Sequence, residues 1–181
     1  MTPRQALNKA YLKVKPWREE IELFKTNLIA LLDGMRDDES EEFHKNNLLH
    51  FLSATYYGGK HYLNTKGRND LVIHHGPDAA SAVGVIIEAK KPGNRAEMLR
   101  PDQLNAKALQ ELLLYYLRER ITHRNLELKQ LVVTNVQAWF VFDAQVFERA
   151  FAQNKGLVKQ FVDFEEKRLG GGGGACGGWA Y

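Results

Sequence analysis

With 181 residues, the chain is sized for one domain around a single hydrophobic core, and its 44% hydrophobic and 26% charged residues are ordinary for a globular protein. A net charge of +3 permits nucleic-acid binding without arguing for it, because a basic patch matters only where it is local. The one cysteine, Cys176, excludes a disulfide framework and a cysteine-built zinc site, and it suits a reducing compartment.

The first third reads as helical. Pro16 is placed to open a helix in which Trp17, Ile21, Phe24, Leu28, Leu31 and Leu32 recur at helical spacing, and Asp33-Gly34 closes it. Ser40 offers a cap for a second helix over 41–55, with Leu48, Leu49, Phe51 and Leu52 as its apolar positions and Gly58-Gly59 as its stop. Leu71-Val72-Ile73 is short and β-prone, Gly76-Pro77-Asp78 is a turn, and residues 82–89 form an apolar run that reads as a strand buried on both faces. A helix is expected over 103–120, with Leu109, Leu112, Leu113, Tyr116 and Leu117 on its apolar face and Glu111, Arg118 and Glu119 toward solvent.

Two strands follow, over 131–133 and 138–142, with Asn135 in the turn between them and Trp139, Phe140 and Phe142 read as core. Helices over 145–152 and 157–169 end the ordered part. Residues 1–169 are thus expected to form one α/β domain, a small central mixed β-sheet flanked by helices. Residues 170–181, rich in glycine, read as a flexible linker or expression remnant. Residues 83–87 and 112–117 are far too short to cross a bilayer, and the start of the chain lacks the apolar core of a signal peptide, so a cytoplasmic protein without a membrane partner is expected.

Three residues break the apolar pattern. Asp70 heads the strand Leu71-Val72-Ile73, and Glu88 and Lys90 interrupt the end of the 82–89 run. Positions i and i+2 of a strand share a face, so Glu88 and Lys90 project together, and Asp70 joins them if its strand pairs alongside. Charges beside a core are costly unless paired or metal-bound. Two carboxylates with the Ala89 backbone carbonyl make an all-oxygen donor set suited to Mg²⁺, with Mn²⁺ as a substitute. Lys90 then stands beside a metal-activated water, to hold it or deprotonate it and to offset charge on a phosphorane. The bland alternative is a Glu88–Lys90 salt bridge at a strand end with Asp70 in a turn. Lys60 and Arg68 before the site, and Lys91, Asn94 and Arg95 after it, are candidates for holding DNA phosphates. The six histidines show no metal-ligand spacing.

The pattern of Asp70 with Glu88-Ala89-Lys90 resembles the PD-(D/E)XK nuclease superfamily, with Asn69 where the motif has proline. Together with residues 41–46, 107–119, 133–143 and 163–166, it resembles the N-terminal endonuclease domain of type IIG restriction–modification enzymes, from about Glu20 to Leu169. The resemblance implies a restriction-endonuclease-like core and Mg²⁺-dependent hydrolysis of double-stranded DNA. It implies that Glu42 on the early helix supports the metal, directly or through water, and that Gln110 on the helix after Glu88-Ala89-Lys90 approaches the catalytic set. It also implies a transient homodimer on DNA for cutting both strands, and methyltransferase and target-recognition domains in the full-length parent. No glycine-rich cofactor loop and no Asn-Pro-Pro-Tyr motif occurs in this chain. The competing expectations are a catalytically inactive docking module of the same fold and, from another enzyme class, a metal-dependent phosphatase.

Overall fold

The computed structural model describes residues 13–65 and 71–170. Helix α1 (Arg18–Asp33) starts just after Pro16, where the backbone N–H of Trp17 donates to Glu20 Oε2 at 2.7 Å. Helix α2 (Glu41–Leu52) is capped by the Ser40 hydroxyl, which accepts from the Phe43 N–H at 3.1 Å. It runs on through a wide π-type turn at Ser53–Tyr57. Gly58 stops that turn because its N–H reaches back to the Ser53 carbonyl at 2.8 Å, leaving no room for a Cβ, and Gly59 follows at φ +76°.

Five strands form one mixed sheet in the order β1 (Leu63–Asn64), β2 (Leu71–His74), β3 (Val83–Ala89), β4 (Gln130–Thr134), β5 (Trp139–Asp143). Only β3 and β4 are parallel, and helix α3 (Lys107–Leu117) lies in the crossover between them. Strand β1, too short to carry a pattern of its own, is the one strand that sequence reasoning did not place. Helix α4 (Ala144–Phe147) and its π-type extension Glu148–Ala152 lead to α5 (Lys155–Gly170), which begins where Asn154 Oδ1 accepts from the Leu157 N–H.

The core lies in two layers, one on each face of the sheet. Val72, Ile86, Leu131 and Val133 point toward α3, α4 and α5, where they meet Ala108, Leu112, Tyr116, Phe147 and Phe161. Leu71, Ile73, Ile87, Ala89 and Val132 point toward α1 and α2, against Leu31, Leu48, Phe51 and Leu52. The alternation along β3 therefore buries both of its faces, as its apolar run predicts.

Three expectations change. Helix α3 begins at Lys107 because Arg100 and Gln103 bond each other's backbone in both directions, a bridge that keeps 103 out of the helix. Trp139 is 42% exposed, because β5 is an edge strand that turns Phe140 and Phe142 inward and leaves Trp139 and Val141 outside. Arg118 and Glu119 are drawn inward: α3 passes into a π-type turn at Arg118–Thr122, whose wider step shifts the side-chain phase, and Glu119 is only 2% exposed.

Tyr116 donates its hydroxyl to Glu148 Oε2 at 2.9 Å, beside the bidentate contact of Arg120 with the same carboxylate. Burial, then the bond to Glu148, hold the phenol protonated well past the ordinary tyrosine range. Tyr116→Phe keeps the packing and deletes a hydrogen bond to a charged acceptor, so urea denaturation is expected to show a loss of about 1.5 kcal/mol.

Candidate functional site

Glu88 and Lys90 share parity with Ile86, so both project from the carboxyl end of β3 onto the α3 face of the sheet. Both are buried, at 1% and 5% exposure. The Lys90 N–H donates to the Thr134 carbonyl at 2.8 Å, which carries the parallel β3–β4 ladder one residue past β3 and fixes the lysine backbone. Its ammonium lies 2.7 Å from Glu88 Oε1, 2.5 Å from Glu111 Oε2 on α3, and 3.7 Å from Glu97 Oε2.

A second cation backs this group. Lys107, at the first turn of α3, places its ammonium 2.5 Å from Glu97 Oε1 and 3.9 Å from Glu111 Oε1. Asn94 orients Glu97 twice, donating to its carboxylate at 3.1 Å and accepting from its N–H at 3.3 Å. Carboxylates and ammonium groups thus alternate from Glu88 outward to Lys107.

Burial by itself disfavours the charged lysine, but the Glu88 carboxylate and the hydrogen bonds to Glu111 and Glu88 outweigh it, holding Lys90 protonated well above the ordinary lysine range. Lys90 in this structure is a fixed cation. The hydrogen bond from Lys107 holds the Glu97 carboxyl below its ordinary value of 4.5, against the opposing effect of burial. A folded value below the unfolded one means that the stability this pair contributes is fully present above about pH 4.5 and is lost as pH falls through the folded value. Melting curves taken across that acid range are expected to show a shallower fall for Glu97→Gln than for the wild type.

Asn135 does more than make a turn. It is 6% exposed, its Oδ1 accepts from the Ala138 N–H, and its Nδ2 donates to the Pro92 carbonyl at 3.4 Å. It thereby ties the β4–β5 turn, which contains Val136 at φ +72°, to the loop that leaves Lys90.

Asp70 and Arg68 lie outside the described residues. Leu71, which follows Asp70 directly, pairs with Ile87, which precedes Glu88. Ala89 pairs with Thr134 and packs its methyl into the α2-side layer. Glu42 sits in the first turn of α2, 62% exposed at its side chain and 3.7 Å from Lys45. Its helix covers the sheet face opposite the one that Glu88 uses.

Gln110 is half-buried and donates to Asn105 Oδ1 at 3.0 Å, while the next residue, Glu111, is the one that meets Lys90. One residue is a large rotation on a helix, and the apolar stripe alone does not say which polar neighbour the docked helix turns inward. Lys60 and Arg95 are exposed, Lys91 is half-buried, and Asn94 spends its amide on Glu97. Sequence reasoning missed Glu97, Lys107 and the inward turn of Glu111; the i,i+4 spacing of Lys107 and Glu111 was the available signal. Among the described residues, which do not include Asp70, no three His, Cys, Asp or Glu side chains are arranged to hold a metal ion.

The chain belongs to the family described as Domain of unknown function (DUF7149), whose pattern matches residues 1–173. No curated protein and no solved structure matches it. No helix among the described residues is long and apolar enough to cross a membrane.

Proposed function

We propose that this chain is the Mg²⁺-dependent DNA-cutting module of a restriction–modification enzyme, with a restriction-endonuclease-like fold. One observation carries the reading: Glu88 near the end of the buried central strand and Lys90 just past it bring opposite charges together under the crossover helix at the carboxyl ends of the two parallel strands. Buried pairs of this kind often contribute no more stability than apolar residues of the same volume, so stability alone is a weak reason to keep them there. The carboxyl ends of parallel strands are also where α/β folds place their ligands.

The donors fit a hard cation. Asp70, Glu88 and the Ala89 carbonyl would hold Mg²⁺, all through oxygen, while Glu42, on the helix that covers the opposite sheet face, stays outside the set. Bound there, Mg²⁺ would supply the positive charge that neutralises a scissile phosphate and lowers the pKa of a water. Lys90, held protonated, acts as a cation: it donates to the attacking water or a phosphate oxygen and offsets the charge that builds during hydrolysis. Lys60, Arg68, Lys91 and Arg95 supply phosphate contacts to double-stranded DNA that position the duplex without reading its sequence. Target choice falls to recognition and methyltransferase domains elsewhere in the parent enzyme, and cutting both strands takes two copies of this module.

A second reading also has an observation behind it. Glu88 and Glu111 already engage Lys90 in two short ion pairs, as they would in an inactive module that keeps the fold for DNA docking. Supercoiled plasmid separates the two. With Mg²⁺ or Mn²⁺ the wild type is expected to nick and linearise it, and Asp70→Ala and Lys90→Ala to fail. Equal cutting by all three, or no divalent-cation binding by the wild type, overturns the nuclease reading.

A further inference from the structure

We propose that Glu111 is a positioning residue that shares the Lys90 ammonium with Glu88 and thereby frees Glu88 to take a divalent cation. The inference rests on the nuclease reading and adds to it a residue that neither the motif nor the resemblance supplies.

The geometry poses a competition. The Lys90 ammonium sits 2.7 Å from Glu88 Oε1, on the carboxylate that the metal needs. Both cations want the same oxygens. Lys90 is buried, so it cannot retreat to water cheaply when a metal arrives. A second carboxylate within reach solves this, and Glu111 Oε2 lies 2.5 Å from the same nitrogen. Glu111 is held by a rigid element: its neighbours Leu112 and Leu113 are core residues of α3. Glu97, 3.7 Å from Lys90, adds a third negative charge on the same side.

Lys107 makes this arrangement tolerable. It neutralises Glu97 at 2.5 Å and approaches Glu111 at 3.9 Å, so the outer carboxylates do not simply repel each other. Among the described residues, three carboxylates and two ammonium groups leave one net negative charge, which favours a cation. On metal binding, Lys90 then keeps its bond to Glu111, stays at the site as a cation, and yields Glu88.

Mn²⁺ binding to the whole chain, followed by electron paramagnetic resonance or calorimetry, reads this without requiring activity. Glu111→Gln is isosteric and is expected to weaken Mn²⁺ by about tenfold, the low end of what loss of an outer-sphere partner costs a metal site. In a Lys90→Met background the same change is expected to leave Mn²⁺ affinity unaltered, because the competitor is gone. An equal loss in both backgrounds would mean that Glu111 acts on the metal by its charge alone, which overturns the proposal, as does full affinity in Glu111→Gln. If Lys90→Met does not fold, Lys107→Gln reads the same chain from its outer end. Freeing Glu97 and Glu111 to draw Lys90 outward is expected to tighten Mn²⁺, and weaker binding overturns the proposal. A wild type that binds no Mn²⁺ sinks the metal-dependent nuclease reading itself. Wild-type binding that Glu111→Gln leaves untouched sinks only the role of Glu111.

Discussion

Lys90→Ala is expected to cost both activity and stability, by amounts that a further change can separate. The side chain is 4% exposed and bonded to Glu88 and Glu111, and removing it takes the ammonium away from the buried Glu88 carboxylate. Breaking a buried ion pair from one side typically costs about 3–5 kcal/mol, and urea denaturation of Lys90→Ala is expected to fall in that range. Plasmid cleavage under single-turnover conditions is expected to fall by about 10²–10³-fold, the loss typical of removing one pre-organised stabiliser of developing charge. The double change Glu88→Gln with Lys90→Met replaces the charged pair by groups of similar volume. It is expected to recover most of the stability and none of the cleavage. If Lys90→Ala unfolds at the wild-type midpoint, the two short contacts around the ammonium do not hold the lysine in solution.

Strands β2 to β5 and the Glu88–Lys90 pair were legible in the sequence because a strand has an unambiguous period. Two residues apart means one face, and the apolar run on either side places that face against a core. Two partners of Lys90, Glu97 and Glu111, were not legible, for different reasons. Glu97 lies in a loop whose path is set by Asn94, a local hydrogen bond that no periodicity announces. Glu111 borders an apolar stripe, and stripes fix the centre of the buried face but not which edge is turned toward the sheet. Arg118 and Glu119 face solvent only on a regular α-helix, and the π-type turn that begins at Arg118 breaks that phase. Trp139 differs in the opposite sense: the alternation in β5 marks two faces, and on this edge strand only the Phe140 and Phe142 face meets the core. The resemblance named Gln110, and the fold brings its neighbour Glu111 to Lys90 instead.

Arg118→Ala is expected to loosen the C-terminal helix selectively. The Arg118 guanidinium donates from Nε at 3.1 Å and from Nη2 at 2.9 Å to Glu165 Oε1, with both side chains about nine-tenths buried. Its Cζ also lies 6.0 Å from the centre of the Tyr115 ring. The pair joins the π-type turn after α3 to α5, whose other anchors to the core include Leu157, Phe161 and Val162. Losing a pair this buried costs about 3 kcal/mol. For a chain of this size that is a melting temperature lower by roughly 6–12 °C. Because the contact ties one helix rather than the sheet, amide exchange is expected to accelerate over α5 while β3 and β4 stay protected. Arg118→Met combined with Glu165→Leu fills the same space without charge, and it is expected to restore most of the melting temperature. Faster exchange spread evenly over sheet and helix would show instead that α5 unfolds only with the whole domain, and that the pair acts on global stability alone.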